Sequence, residues 1–250
     1  MDQIIKTDLE PNTPEWYYNE WLKDYQQNPI NLQYFENKVI ENVLSDEDYA
    51  EAYAIIDAGN EENTIFKDIM GHMAFKSKFS DRMEQKLTKI AREASGFDNL
   101  VLAEYSIARY SPKFGYVPKL FPHNDSKKSQ SIVMDVQLKS NFDWPLVVDD
   151  RQYLTKDNTA LLFSGTQQTH WRAKQWLEPD HQVDMIFCHF LFDPDIEITE
   201  EQRKQTGMRG AFLMEYTEQW VPAIPYDANN PSAFLDYKFN PDDMPQEIKG

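Results

Sequence analysis

The chain has almost no cysteine: Cys188 is the single one in 250 residues. No internal disulfide can brace it, and its place in the apolar run VDMIFCHFLF marks a buried, inert thiol, which fits a reducing compartment. Long uncharged apolar runs are also missing, so neither a membrane-spanning helix nor a secretory leader is expected. The sequence thus predicts a soluble, cytoplasmic protein with no membrane partner. Basic residues are scarce as well, 25 Lys and Arg against 42 Asp and Glu, a formal net charge of −17. Binding to a phosphate backbone depends on displacing counterions with Lys and Arg, so nucleic acid is not an expected partner. The excess of acid is read as a device for solubility rather than as the mark of a cationic substrate. There is no internal repeat.

What is present is the composition of a folded protein, 41% hydrophobic and 14% aromatic, and its length suits one well-filled core. Residues 1–36 mix aromatics with acids and amides. Tyr17, Trp21 and Tyr25 recur at helical spacing behind Pro14, which predicts a short amphipathic helix. FENKVIENVL reads as a strand. Ser45 with Asp48 three positions on opens a helix over DEDYAEAYAIIDAG that Gly59 would close. After a loop containing His72, Ser80 caps a second helix with Met83, Leu87, Ile90, Ala91 and Ala94 on one face, ended by Gly96.

From Asn99 the pattern changes to short strands: VLAEYSIARY, SIVMDVQLK, WPLVVDD, QYL, TALLFSG and VDMIFCHFLF, separated by turn-like SNFD and TKDN. This is the rhythm of a β-sandwich or jelly roll with helices flanking the sheets. The fold class expected is therefore α+β, mainly β. One domain spans 1–250, with helical support over 1–98, a jelly-roll core over 99–193 and a strap over 194–250. The strap holds six of the fourteen prolines and one candidate helix, EEQRKQ.

The chemistry-bearing stretch is Asn99 to Asp125, a strand ending at Tyr110, a loop punctuated by Pro and Gly, and then HND. In extended chain His123 and Asp125 leave the backbone on the same face. His170 in FSGTQQTHWR, 47 residues on (170 minus 123) and after an apolar run, is the best third donor. Two histidines and one carboxylate with positions left open form the facial triad of non-haem Fe(II) oxygenases. His72 and His189 read as structural, His181 as a loop residue, and Trp144 and Trp171 as neighbours of the site.

The order SIARY, loop, GYV, HND, strand, DWPLVV, TALLFSG, His and terminal apolar strand resembles the Fe(II)/2-oxoglutarate-dependent dioxygenases, especially the prolyl-hydroxylase-like branch. The resemblance covers roughly residues 38–193. It implies a double-stranded β-helix in which His123, Asp125 and His170 bind Fe(II), and in which Tyr110, at the end of the "RY" strand, helps hold 2-oxoglutarate. It also implies dioxygen as the second co-substrate and hydroxylation of an unactivated C–H bond in an amino acid, a small metabolite or a protein side chain.

The sequence departs from the family at one point. A basic residue about ten positions beyond the distal histidine usually grips the far carboxylate of 2-oxoglutarate, and this chain has Pro179, Asp180, His181 and Gln182 there. Arg172 is the replacement expected. It lies two residues after His170, shares the inward face of a strand, and carries a guanidinium suited to a carboxylate. Arg109, which alternation turns away from Tyr110, and Lys174 are weaker choices. Two other readings stay open: a non-catalytic metal-binding jelly roll, and a cupin-type metal enzyme that uses no 2-oxo acid.

Overall fold

The computed structural model describes residues 33–67, 70–76, 78–125, 130–149, 151–172, 176–207 and 224–231. The aromatic helix expected before residue 33 lies outside them. Ser45 does open the first helix, α1 (Asp46–Asp57), through a capping box: its hydroxyl accepts from the Asp48 N–H, and the Asp48 carboxylate accepts from the Ser45 N–H at 2.8 Å. Ala58, rather than Gly59, caps its C-terminus. Helix α2 (Asp81–Ser95) starts at Ser80 and stops at Gly96, whose φ of 75° is the left-handed conformation that favours glycine. Met83, Leu87 and Ala91 on its inner face are fully buried, with Ile90 and Ala94 at their rim.

Strands β1 (Lys38–Glu41), β2 (Thr64–Lys67), β3 (His72–Phe75), β4 (Leu100–Tyr110), β5 (Leu120–His123) and β6 (Ser131–Ser140) are followed by β7 (Leu146–Val148), β8 (Arg151–Tyr153), β9 (Thr159–Phe163), β10 (His170–Arg172) and β11 (Val183–Phe192). They form a seven-stranded sheet in the order β1-β9-β6-β11-β4-β3-β2 and a four-stranded sheet in the order β5-β10-β7-β8. Every pairing is antiparallel. From β4 to β11 the chain passes back and forth between the two sheets, which makes the fold the double-stranded β-helix that the sequence order implied.

The two faces of the large sheet bury different things. Ile132, Met134, Val136 and Leu138 of β6 face α1 and α2, together with Ile186, Cys188 and Phe190 of β11. Val133 of β6 faces the other way, where Leu146, Val148, Leu161 and Phe163 close the space between the sheets. A second interior cluster joins Ala108, Tyr110, Trp144, Val183 and Met185. By strand alternation Asp135 and Gln137 also point into the barrel.

One segment differs from the sequence reading. His72 is not in a loop: it opens β3, which pairs with β2 on one side and β4 on the other and so extends the large sheet past β4, with His72 opposite Tyr110. Beyond the barrel, α3 (Glu200–Thr206) follows a Thr199 cap. Residues 224–226 return to the barrel, where the Val117 N–H donates to the Ile224 carbonyl at 2.8 Å and the Tyr226 hydroxyl to that of Leu177 at 2.8 Å.

Candidate metal centre

β5 ends at His123, and β10 begins at His170, its partner across the ladder. Their rings stand 4.2 Å apart, centroid to centroid. Asp125 lies just past the end of β5, and its N–H donates to the Gly165 carbonyl at 3.1 Å. This loop is tied down further by Asn124, whose amide donates to the Thr166 carbonyl at 3.1 Å and accepts from Thr169 at 3.2 Å. The result is convergence: Asp125 Oδ1 is 3.3 Å from Nε2 of both His123 and His170, and the three ligand atoms fall within 4.8 Å of one another.

The donor set is arranged as a metal site requires. Nδ1 of His170 lies 3.2 Å from the Gln168 carbonyl, an acceptor for the ring N–H, which leaves Nε2 as the ligand atom. Phe163 stands edge-on against the same ring at 4.8 Å. Burial pushes the Asp125 carboxyl up, but the facing His170 and His123 outweigh it and hold the group well below the usual carboxylate range. Asp125 Oδ2 is buried with no hydrogen-bond partner. A Cβ at position 165 would come within 2.5 Å of that oxygen, so Gly165 makes the room it occupies. Asp125 Oδ1 beside two imidazole nitrogens, on a carboxylate whose other oxygen is orphaned, fits a divalent cation, and two His with one Asp suit Fe(II) while leaving coordination positions open. Among the described residues no fourth His, Cys, Asp or Glu joins the cluster, which does not suit a closed tetrahedral zinc site.

The other expected residues divide by strand face. Arg172 shares the inward face of β10 with His170, and both are buried while Trp171 between them is half-exposed. The Arg172 guanidinium donates to the Trp144 carbonyl, lies 3.7 Å from Met185 Sδ and sits 5.0 Å over the Trp144 ring. Tyr110 meets that same ring edge-on at 5.3 Å, so Tyr110, Trp144 and Arg172 form one group. Among the described residues Arg172 makes no ion pair, and burial pulls its pKa down. Arg109 points outward, as alternation required, into a two-pronged pair with Asp184 at 2.7 and 2.9 Å. Lys174 lies outside the described residues.

Two buried polar groups on the barrel side are Asp135, which the sequence reading passed over, and His72, which it read as structural. Asp135, at the centre of β6, is 4% exposed, and its Oδ1 has no partner. The signal for it was an acid in the middle of an otherwise apolar strand. His72 is buried edge-on against Tyr110 at 4.8 Å with Nδ1 unpartnered, and burial lowers its pKa to about 3, so it is neutral. His189 is half-buried rather than part of the core. It stands opposite Val133 on the inner face, close to the triad, since Val133 also borders Gly165. His181 is in a loop, stacked on Phe142.

No family model matches the sequence, and no curated protein matches it. Among solved structures the chain is similar to EctD from S. alaskensis with 2-oxoglutarate and 5-hydroxyectoine, at 13% identity over 90% of this chain and 90% of that one, with a TM-score of 0.50. It is also similar to HygX from Streptomyces hygroscopicus with nickel, 2-oxoglutarate and hygromycin B bound, at 10% identity over 79% and 98% of the two chains, TM-score 0.49. A third is an oxidoreductase of the 2OG-Fe(II) oxygenase family from Burkholderia pseudomallei, at 8% identity over 74% and 93%, TM-score 0.47. At these identities the likeness is one of fold.

Proposed function

We propose that the chain is an Fe(II)- and 2-oxoglutarate-dependent oxygenase, of the prolyl-hydroxylase-like branch, that hydroxylates an unactivated C–H bond of a small molecule or a protein side chain. The observation that carries this reading is the convergence of His123, Asp125 and His170, with Asp125 Oδ1 3.3 Å from both imidazole nitrogens, at the end of a double-stranded β-helix. The fold shared with EctD, a structure holding 2-oxoglutarate, supports it.

When bound, Fe(II) supplies the oxidising chemistry, coupling decarboxylation of 2-oxoglutarate to transfer of one atom of dioxygen into the substrate. The protein's own part is binding, orientation and dryness. Asp125, held ionised, and the two imidazoles would hold the metal. Arg172, buried and in no ion pair among the described residues, takes the far carboxylate of 2-oxoglutarate, and Tyr110 helps to hold the same co-substrate. Leu146, Val148, Leu161 and Phe163 keep water from the interior. His189, on the inner face near the triad, borders the position a substrate takes. No helix among the described residues is long and apolar enough to cross a membrane.

Adding Fe(II) and 2-oxoglutarate without oxygen tests the proposal. A weak visible metal-to-ligand charge-transfer band is expected, and His123→Ala or Asp125→Ala should abolish it. A folded, iron-loaded protein that shows no band would instead be a metal-binding jelly roll or a cupin-type enzyme that needs no 2-oxo acid.

A further inference from the structure

Three residues ahead of His170, the Gln167 side chain is 2% exposed and takes no part in the proposed chemistry. A buried primary amide needs partners for one carbonyl and for two N–H groups. It finds all three in segments far along the chain. Its Oε1 accepts from the Phe35 N–H at 2.7 Å, and its Nε2 donates to the carbonyls of Gln33 at 2.6 Å and Lys204 at 3.0 Å. The Gln33 N–H donates to that same Lys204 carbonyl at 3.0 Å. Lys204 lies in the last turn of α3, where carbonyls have no partner within the helix. One glutamine of the β9–β10 loop thus seats both residues 33–35 and α3, whose Phe35 and Lys204 are 132 and 37 residues away from it.

That loop is braced as one piece. The Gln168 N–H donates to the Ser164 carbonyl at 2.9 Å, the Ser164 N–H returns a bond to Gln168 Oε1 at 2.9 Å, and the Gln167 N–H donates to the Ser164 hydroxyl at 3.2 Å. The same six residues meet the triad from both sides: the Gly165 carbonyl takes the Asp125 N–H, and the Gln168 carbonyl faces Nδ1 of His170. Where Gln167 sits therefore bears on Asp125 and His170 together. A second tie holds α3 without touching this loop, Gln202 Nε2 donating to Asn99 Oδ1 at 2.6 Å.

We infer that Gln167 is a positioning residue of the metal centre, coupling ion binding at His123, Asp125 and His170 to the docking of α3 and residues 33–35. The inference rests on the metal site of the oxygenase reading, and not on its co-substrate. Docked outer segments hold the loop where the three ligands converge. A bound ion in turn holds the loop on which those segments are seated. Coupling of this kind is reciprocal by thermodynamic necessity, so it must be readable from either end.

The test uses the full chain and Co(II), with affinity followed through the visible absorption of the bound ion and docking followed by amide hydrogen exchange. Co(II) should slow exchange of the α3 amides about fivefold, while those of α1, which shares no hydrogen bond with the loop among the described residues, change less than about twofold. Gln167→Met keeps the length of the side chain without its three bonds. It should weaken Co(II) binding about tenfold and abolish the slowing in α3. Gln202→Ala, which loosens α3 at Asn99, should weaken Co(II) binding about threefold in wild type and leave it unchanged in the Gln167→Met background. Exchange in α3 indifferent to Co(II), equal slowing in α1, or a Gln167→Met affinity matching wild type would each overturn the inference. Should Gln167→Met fail to fold, the wild-type exchange and Gln202→Ala still decide. A folded wild type that binds no Co(II) sinks the metal centre and this inference with it, whereas the coupling without a charge-transfer band on adding Fe(II) and 2-oxoglutarate sinks the oxygenase reading alone.

Discussion

At the scale of single residues, the site depends on which face of a strand each side chain takes. His123, Asp125, His170 and Arg172 could be picked out from spacing because period-two alternation puts i and i+2 together, and HND and HWR each use that rule once. Asp135 and His72 could not. Their surroundings come from what stands opposite them, Leu161 and Phe187 in one case and Tyr110 in the other, and a register is not written in either strand alone. Arg172 gives the sharpest residue-level prediction. A buried guanidinium that forms no ion pair among the described residues suits an anion, and hydrogen bonds to charged groups are worth about 1.5–3 kcal/mol. Arg172→Ala should therefore raise the 2-oxoglutarate concentration needed by about a hundredfold while iron still binds, and Arg172→Lys should recover only part of the loss. Unchanged co-substrate affinity in the Ala variant would exclude Arg172 as the anchor.

At the scale of elements, the helices that support the barrel are joined through one carboxylate. Asp48 closes the α1 capping box from a fully buried position and also takes Arg82 and Lys86 of α2. Burial pushes its pKa up, but Lys86, Ser45 and Arg82 together hold it far below the usual value. Its contribution is thus complete above about pH 4, the unfolded value, and is lost as the pH falls below it. Asp48→Asn is expected to lower stability at neutral pH by about 2 kcal/mol. That figure is kept modest because Arg82 and Lys86 are themselves 42% and 32% exposed. Wild type and variant should converge in urea melts under acid conditions, and a constant difference at all pH values would contradict the assignment. The caps at Ser45, Ser80 and Thr199 were readable because capping is local chemistry. The β2–β3 pair was not: TIFK and HMAF are four-residue strands whose place comes from pairing with each other and, through β3, with β4.

At the scale of the whole molecule, the triad draws on both sides of the fold's connectivity: β5 and β10 are neighbours in the small sheet, yet His123 and His170 are separated by four intervening strands. A metal that binds this assembled site and not the unfolded chain must stabilise the fold in proportion to the logarithm of its concentration. Removing metal with a chelator should lower Tm, and restoring Fe(II) or Co(II) should raise it by about 2–3 kcal/mol in stability at a hundredfold excess over Kd. Asp125→Ala should show no such rise, and a metal effect that survives in that variant would place the ion elsewhere. The sequence by itself determined most of the strands and helices, the capped helix starts and the residue types able to bind a divalent cation, because periodicity, caps and charge act over a few residues. Tertiary structure alone decided that His170 meets His123 and Asp125, that Arg172 reaches Trp144 beside Tyr110 while Arg109 finds Asp184, and that Asp135 Oδ1 is buried with no hydrogen-bond partner among the described residues. Those outcomes depend on the pairing and stacking of strands distant in the chain, where burial and register, rather than local preference, set each side chain's surroundings.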